Sequence, residues 1–309
     1  MEFLDIVHNP GDDPISFGPD VFIAASGYES RSTAIPRKVE GLDCRKVAIT
    51  FTEYSKELQR PENDKYFKSQ GFEMLPASGF EIPDYSKVLL PSGSDKLKVL
   101  IDISVMTRTW YHGLLKYIVN LPDNKQISLR VVYCPAENVH AVKLRKSLSI
   151  NYLNMVTKSG KSIDDRPTAL LLGLGHEQDI ARRLHEIIRP DRTKLLYADP
   201  EMRKEYVEKI FITNHSLINR TDIKELFAYP MHDTSVIYRL LVDLIMPLRK
   251  DYRVIIIPQG PKIFSLISMI VQLSYPDIEL AYPKYKIRQI RDRKPFSEFT
   301  TIDLFFGKE

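Results

Sequence analysis

Short blocks of consecutive apolar residues, each closed by turn-forming residues, punctuate the chain from end to end. In the first half they are DVFIAAS (20–26), KVAITF (46–51), FEML (72–75), VLIDI (99–103) and ISLRVVYC (127–134). Runs this short and this apolar fit strands buried on both faces. Between them the spacing turns helical. PENDKYFKSQGF (61–72) carries Pro in its first turn and Gly71 near its end, the marks of a helix start and stop. A helix partly interrupted by Pro36 follows the first strand, and an amphipathic helix follows Arg108. Residues before Pro19 are rich in Gly, Pro and Asp and read as an irregular lead-in.

Residues 158–167, KSGKSIDDRP, are polar and lack apolar periodicity, which sets the expected division into an N-terminal domain, 1–157, and a C-terminal domain, 158–309. Beyond it come TALLLGL (168–174), TKLLYAD (193–199), RVIIIP (253–258) and a strand near 278–282. Helices are expected over EQDIARRLHEII (177–188), PEMRKEYVEKIF (200–211), Thr234 to Arg249 and 263–273. Strands alternating with helices predict an α/β fold built from two Rossmann-like parallel-sheet halves.

The halves align at their loops. GYES (27–30) matches GHEQ (175–178), and ISVMTR (103–108) takes the place of PQGPK (258–262). The separation from Gly27 to Ser104 is 77 residues, and from Gly175 to Gln259 it is 84. A divergent tandem duplication is therefore expected, although two unrelated α/β domains would also align loosely. Such a pair can gather its strand-end loops around one interdomain cleft, a common place for a small ligand.

Those loops hold the candidate chemistry. Gly27 can adopt a positive φ, and the backbone N–H groups after it would then point at a ligand, favouring an anion, or the loop is a polar β–α turn with Ser30 or Ser32 as helix cap. Glu29 and Arg31 either pair with each other or read a ligand. Asp102 lies inside an apolar strand, where a carboxylate needs a partner. It either accepts from a ribose hydroxyl, acts as a general base, or pins the neighbouring loop. Ser104 and Thr107 serve as ligand donors or as helix caps. Arg108 offers a guanidinium fork suited to phosphate or carboxylate. In the second half Gly175, Glu177, Gly260 and Lys262 are their counterparts, with Lys262 in the place of Arg108. His176 is either an acid–base group or merely hydrogen-bonded. KYKIRQIRDRK (Lys284 to Lys294) is basic enough to meet a nucleic-acid backbone, or it is a solvated edge strand.

Composition narrows the class without naming a reaction. A hydrophobic fraction of 43% with 27% charged residues is ordinary for a globular protein. A net charge of +4 permits an anionic ligand and does not demand nucleic acid. The two cysteines, Cys44 and Cys134, are far apart and read as free thiols of a reducing cytosol. No signal peptide and no apolar run near the ~20 residues of a membrane span are evident, so a soluble, cytoplasmic protein is expected. GxGxxG, P-loop, GxSxG and HExxH patterns and clustered Cys/His sets are all missing. No metal or cofactor is expected.

At GYESRS and DISVMTR the layout resembles the CARF and SAVED sensor domains of prokaryotic immunity. Those domains carry a ligand loop after the first strand and a polar turn after a later one, here Asp102, Ser104, Thr107 and Arg108. The resemblance implies binding of cyclic oligonucleotides and control of an effector; none is recognisable in this chain. A bacterial group with paired GYE-x-RS, D-x-S-x-MTR and PQGPK segments is similar over most of the chain and implies no activity. The leading expectation is a sensor or accessory protein, in antiphage defence, that holds a nucleotide or other small phosphorylated ligand. A nucleotide or nucleoside hydrolase using Glu29 or Asp102 is the rival, and a protein-interaction scaffold the third reading. A homodimer or a partner protein is left open.

Overall fold

The computed structural model describes residues 1–8, 14–89, 95–137, 142–143, 148–153, 165–200, 203–284, 290–296 and 298–308. Contacts divide the chain into two units. One is Met1–Asn138 with Gln289–Glu309, the other Val139–Arg288.

Strands of the first unit are Glu2–His8 (β1), Val21–Ser26 (β2), Arg45–Phe51 (β3), Glu73–Ala77 (β4), Lys96–Asp102 (β5) and Gln126–Tyr133 (β6). The last strand of the chain, Thr300–Gly307, joins the same sheet. The order is β1, last strand, β6, β5, β2, β3, β4. β2 pairs in parallel with both β3 and β5, β3 with β4, and β5 with β6. Numbered by their own succession, these parallel strands run 3-2-1-4-5, the Rossmann order. β2 is buried at every position, as its unbroken apolar run requires at the centre of a covered sheet.

Among the described residues, the α-helices of this unit are Ala34–Lys38 (α1), Arg60–Ser69 (α2), Tyr85–Val88 (α3) and Arg108–Val119 (α4). On one side Ile35, Val39 and Phe67 pack with Phe22, Ala24, Leu100 and Val132. From α4, the fully buried Trp110 stacks on Phe51 with ring centroids 4.2 Å apart.

The second unit contains Val142–Lys143 (β7), Ser149–Leu153 (β8), Thr168–Gly173 (β9), Glu177–Gln178 (β10), Arg192–Asp199 (β11), Leu226–Pro230 (β12), Arg253–Ile257 (β13) and Glu279–Lys284 (β14). The final strand of the chain is thus β15. The main sheet is ordered β12, β11, β9, β13, β14, β8, parallel except for β8. Its parallel strands again run 3-2-1-4-5, and again an antiparallel strand flanks the fifth. Its helices are Ile180–Ile188 (α5), Lys204–Ile218 (α6), Thr234–Ile245 (α7) and Lys262–Ser274 (α8).

The sequence reading divides the chain at 157/158, whereas contacts pass from one unit to the other at 138/139 and return at 288/289. Two pairings account for this. β8 adds to β14, and β15 returns to β6 in a register that sets Asp303 opposite Arg130. That buried pair is closed by two contacts of 2.7 and 2.6 Å. Of the linker KSGKSIDDRP, residues 158–164 lie outside the described residues.

Further boundaries differ from expectation, and α6 spans Lys204–Ile218 rather than 200–211. The lead-in begins with β1 rather than irregular chain. α5 starts at Ile180 instead of 177, because Asp179 takes a left-handed φ of 63° and Glu177–Gln178 pair with Val142–Lys143. α7 stops at Ile245 rather than Arg249. Among the described residues, no helix is long and apolar enough to cross a membrane.

Candidate functional site at the switch points

In an open parallel sheet the order reverses between strands 1 and 4, and ligands settle beyond the carboxyl ends of those strands. In the first unit these strands are β2 and β5, followed by GYESRS and by ISVMT. In the second they are β9 and β13, followed by GHEQ and by PQGP. Each sequence-selected loop pair therefore meets at its own unit's switch point. Gly27, Glu29 and Arg31 share one edge with Asp102, Ser104, Thr107 and Arg108. Gly175 and Glu177 share the other with Gly260 and Lys262.

The first of these edges is tied together from within. Gly27 does not take a positive φ, and its N–H donates to Ser32 Oγ at 3.0 Å. Ser30 N–H donates to Asp292 at 2.6 Å, Arg31 N–H to the Arg293 carbonyl at 3.3 Å, and Ser32 N–H to the Glu29 carbonyl. The amides of Gly27, Ser30, Arg31 and Ser32 are thus spent inside the protein. Arg31 is buried, donates to Glu29 at 2.5 Å and reaches the Cys134 carbonyl at 3.1 Å. Burial works against the charge of Arg31, but the Glu29 carboxylate, together with Tyr133 and Cys134, holds the guanidinium pKa above its ordinary value.

Asp102 pins its own turn. Its Oδ1 accepts from the backbone N–H of Ser104 at 2.8 Å and from the Ser104 hydroxyl. Ser104 Oγ in turn accepts from the Cys134 N–H at 2.9 Å, joining the ends of β5 and β6. Thr107 caps α4 by accepting from Trp110 N–H. Arg108, the first residue of α4, is half-buried. The Cys134 thiol is pushed up to about 11, first by burial and then by the Asp102 charge, so it is protonated at neutral pH.

Sequence reasoning missed two partners of this edge. Asn63, buried on α2, donates to the carbonyls of Gly27 at 2.9 Å and Glu29 at 3.0 Å. The other is residues 290–294, the end of the basic KYKIRQIRDRK stretch. Asp292 grips Ser30 twice, and Arg293 lies 3.8 Å from Glu29. Residues 285–289 of that stretch lie outside the described residues.

The second edge is more open. Gly260 turns at φ +96°, and Pro261 caps α8, so half-buried Lys262 is its first residue. The Glu177 carboxylate lies against Gly175: a Cβ built there would meet Oε2 at 2.5 Å and Gly260 N at 3.4 Å. Gln259 is buried, and among the described residues its side-chain Nε2 has no hydrogen-bond partner. His176 is buried edge-on against Tyr206, with Nε2 3.3 Å from the Tyr206 carbonyl. Burial lowers its pKa, and the ring is a packed, hydrogen-bonded group. Asn214 on α6 donates to the Gly175 carbonyl at 2.9 Å. No grouping of His, Cys, Asp or Glu among the described residues is arranged to hold a metal ion.

The strand orders define the chain as two Rossmann-like α/β units. No family model matches it, and no curated protein does. It is similar to the crystal structure of the cytoplasmic domain of a prokaryotic cation chloride cotransporter, with 8% identity, a TM-score of 0.23, and coverage of 86% of this chain and 95% of that one. A likeness at that score carries no argument about fold or function.

Proposed function

We propose that this protein binds a nucleotide-like anion at the switch-point edges of its Rossmann-like units, and that it acts as a cytoplasmic sensor or accessory protein. One observation carries the reading. Arg108 opens α4 and Lys262 opens α8, each directly after the fourth parallel strand of its unit. A cation beside the positive end of a helix, at the edge where such sheets take ligands, suits a phosphate.

The second edge is the better equipped of the two, because the buried amide of Gln259 leaves a donor open there. Glu29 and Asp102 are committed to Arg31 and Ser104, which counts against a hydrolase that uses them as acid or base. Descent from a tandem duplication is supported by the shared strand order and by the matched contacts Asn63–Gly27 and Asn214–Gly175. A role in antiphage defence follows from the CARF and SAVED resemblance alone.

Calorimetric titration with a panel of mono-, di- and cyclic nucleotides tests the reading, with native mass spectrometry to see whether the ligand leaves intact. Saturable binding weakened about tenfold or more by Lys262→Ala or Arg108→Ala is expected. Binding indifferent to both substitutions, or no binding across the panel, would overturn it. A ligand released with altered mass would restore the hydrolase.

A further inference from the structure

Among the described residues, four of the ten large apolar side chains left most exposed come from just two loops. Tyr54 and Leu58 lie in the loop after β3, Phe80 and Ile82 in the one after β4. Both loops leave the carboxyl edge of the first sheet, the edge that also carries Arg108. Ile82 packs back on Gly113 of α4, whereas Tyr54 stands 44% and Phe80 69% exposed.

These two rings are held in place. The Ser78 carbonyl accepts from Trp110 Nε1 at 2.9 Å and from the Glu81 N–H at 3.2 Å. Glu53 laces the loops together, accepting the Ser78 hydroxyl at 2.8 Å and the Gly79 N–H at 3.2 Å. Phe80 therefore sits on a fixed turn. Tyr54 takes a left-handed φ of 61°, a conformation costly to an ordinary side chain. Its ring meets that of Tyr28 edge to face, with centroids 5.6 Å apart. Both rings border the start of α4. A Cβ added at Gly79, beside Phe80, would lie 3.4 Å from Thr107 Cγ2, and one at Gly27, beside Tyr28, would lie 3.6 Å from Val105. The two loops are acidic themselves, with Glu53, Glu57, Glu81 and Asp84 against Lys56. They suit an uncharged ring better than a phosphate.

We propose that this edge takes the aromatic base of a nucleotide, stacked on Phe80 and Tyr54, with the phosphate toward Arg108. Exposed aromatic faces stack on bases of any identity, because every base has a π-face. The assignment rests on the nucleotide reading above and adds to it the part of the ligand that the first edge recognises.

AMP and ribose 5-phosphate are the probes, titrated calorimetrically into the full chain carrying Lys262→Ala so that the first edge is read alone. AMP is expected to bind about tenfold or more tightly than ribose 5-phosphate, which lacks the base. Phe80→Leu and Tyr54→Leu should each weaken AMP about fivefold or more, whereas Phe80→Trp keeps an aromatic face and the affinity with it. Arg108→Ala should weaken both probes alike. Phe80 and Tyr54 are exposed, so the variants are expected to fold, as unchanged thermal unfolding would verify. Equal affinity for the two probes, or AMP binding unmoved by both leucine variants, would overturn the stacking site and leave the nucleotide reading in place. Failure of AMP to bind would overturn it too, and the nucleotide reading falls with it only where the whole nucleotide panel also fails.

Discussion

Asn63 holds the carbonyl of Gly27 at 2.9 Å, across 36 residues of chain. Asn214 repeats the contact on Gly175 at the same distance. In both units the asparagine sits on the helix after the second parallel strand, and the glycine in the loop after the first. The carbonyl and the amide are buried in each case. Removing the donor leaves a carbonyl without its partner, which costs about 1–3 kcal/mol. Asn63→Leu and Asn214→Leu should each lower the urea midpoint by that order. Equal stability to the wild type in either variant would show that water replaces the amide there.

The glycines of the two edges should separate sharply under alanine substitution. Gly27 has an ordinary φ, and an added Cβ would meet Phe51 and Val105 at 3.6 Å, normal contact. Gly27→Ala should be close to neutral. Gly260 takes φ +96°, with the Leu174 carbonyl 3.1 Å from an added Cβ. Strain of this kind costs about 1–3 kcal/mol. Gly173 is tighter still, since its Cβ would lie 2.5 Å from the Gln259 carbonyl oxygen. Thermal unfolding of the three variants should rank Gly27→Ala above Gly260→Ala and Gly173→Ala lowest. A destabilised Gly27→Ala beside a tolerated Gly173→Ala would contradict the packing of both loops.

This contrast also marks what a sequence can disclose. The central parallel strands were legible because strands covered on both faces must be apolar without interruption, as VFIAAS and LLLG are. β1 and β15 were not, because edge and antiparallel strands need no such run, and which sheet receives a distant terminal strand is decided by packing. The four loops could be found because each follows such a strand and is bounded by Gly, Ser or Pro. Their hydrogen bonding could not. A serine in GYESRS carries no sign that its partner is Asp292, and a loop glycine does not announce the sign of its φ. Arg108 and Lys262 each open a helix, because the helix starts are set by Thr107 and Pro261 beside them.

Stability should fall with acid through His112. The ring is buried on α4, and among the described residues both of its nitrogens lack hydrogen-bond partners. Burial first, and the charge of Lys116 second, lower its pKa from 6.5 to about 4. The unfolded state therefore takes up the proton first, so this contribution is complete above pH ~6.5 and is lost as pH falls toward 4. At pH 5 the loss is about 2 kcal/mol on the usual conversion of pKa shift to free energy. His176 and His185 are also lowered, chiefly by burial, and act with the same sign. Urea denaturation at pH 7 and pH 5 should show a smaller acid loss in His112→Leu than in the wild type. An identical loss in both would place the pH sensitivity elsewhere.

Gln259 sets stability against binding. Its amide nitrogen is buried beside Gly260 and has no acceptor among the described residues, a state that costs about 1–3 kcal/mol relative to a satisfied or apolar group. If the residue served only the fold, an apolar side chain of similar length would be better in every respect. Gln259→Met should raise the denaturation midpoint by the order of 1 kcal/mol, because it removes an unsatisfied donor and keeps the volume. The same substitution should weaken nucleotide binding at the second edge, since the open donor is then gone. Residues kept at a cost to stability are the expected mark of a functional site. A variant that is stabilised yet binds the nucleotide panel unchanged would remove Gln259 from the site and leave Lys262 to hold it alone.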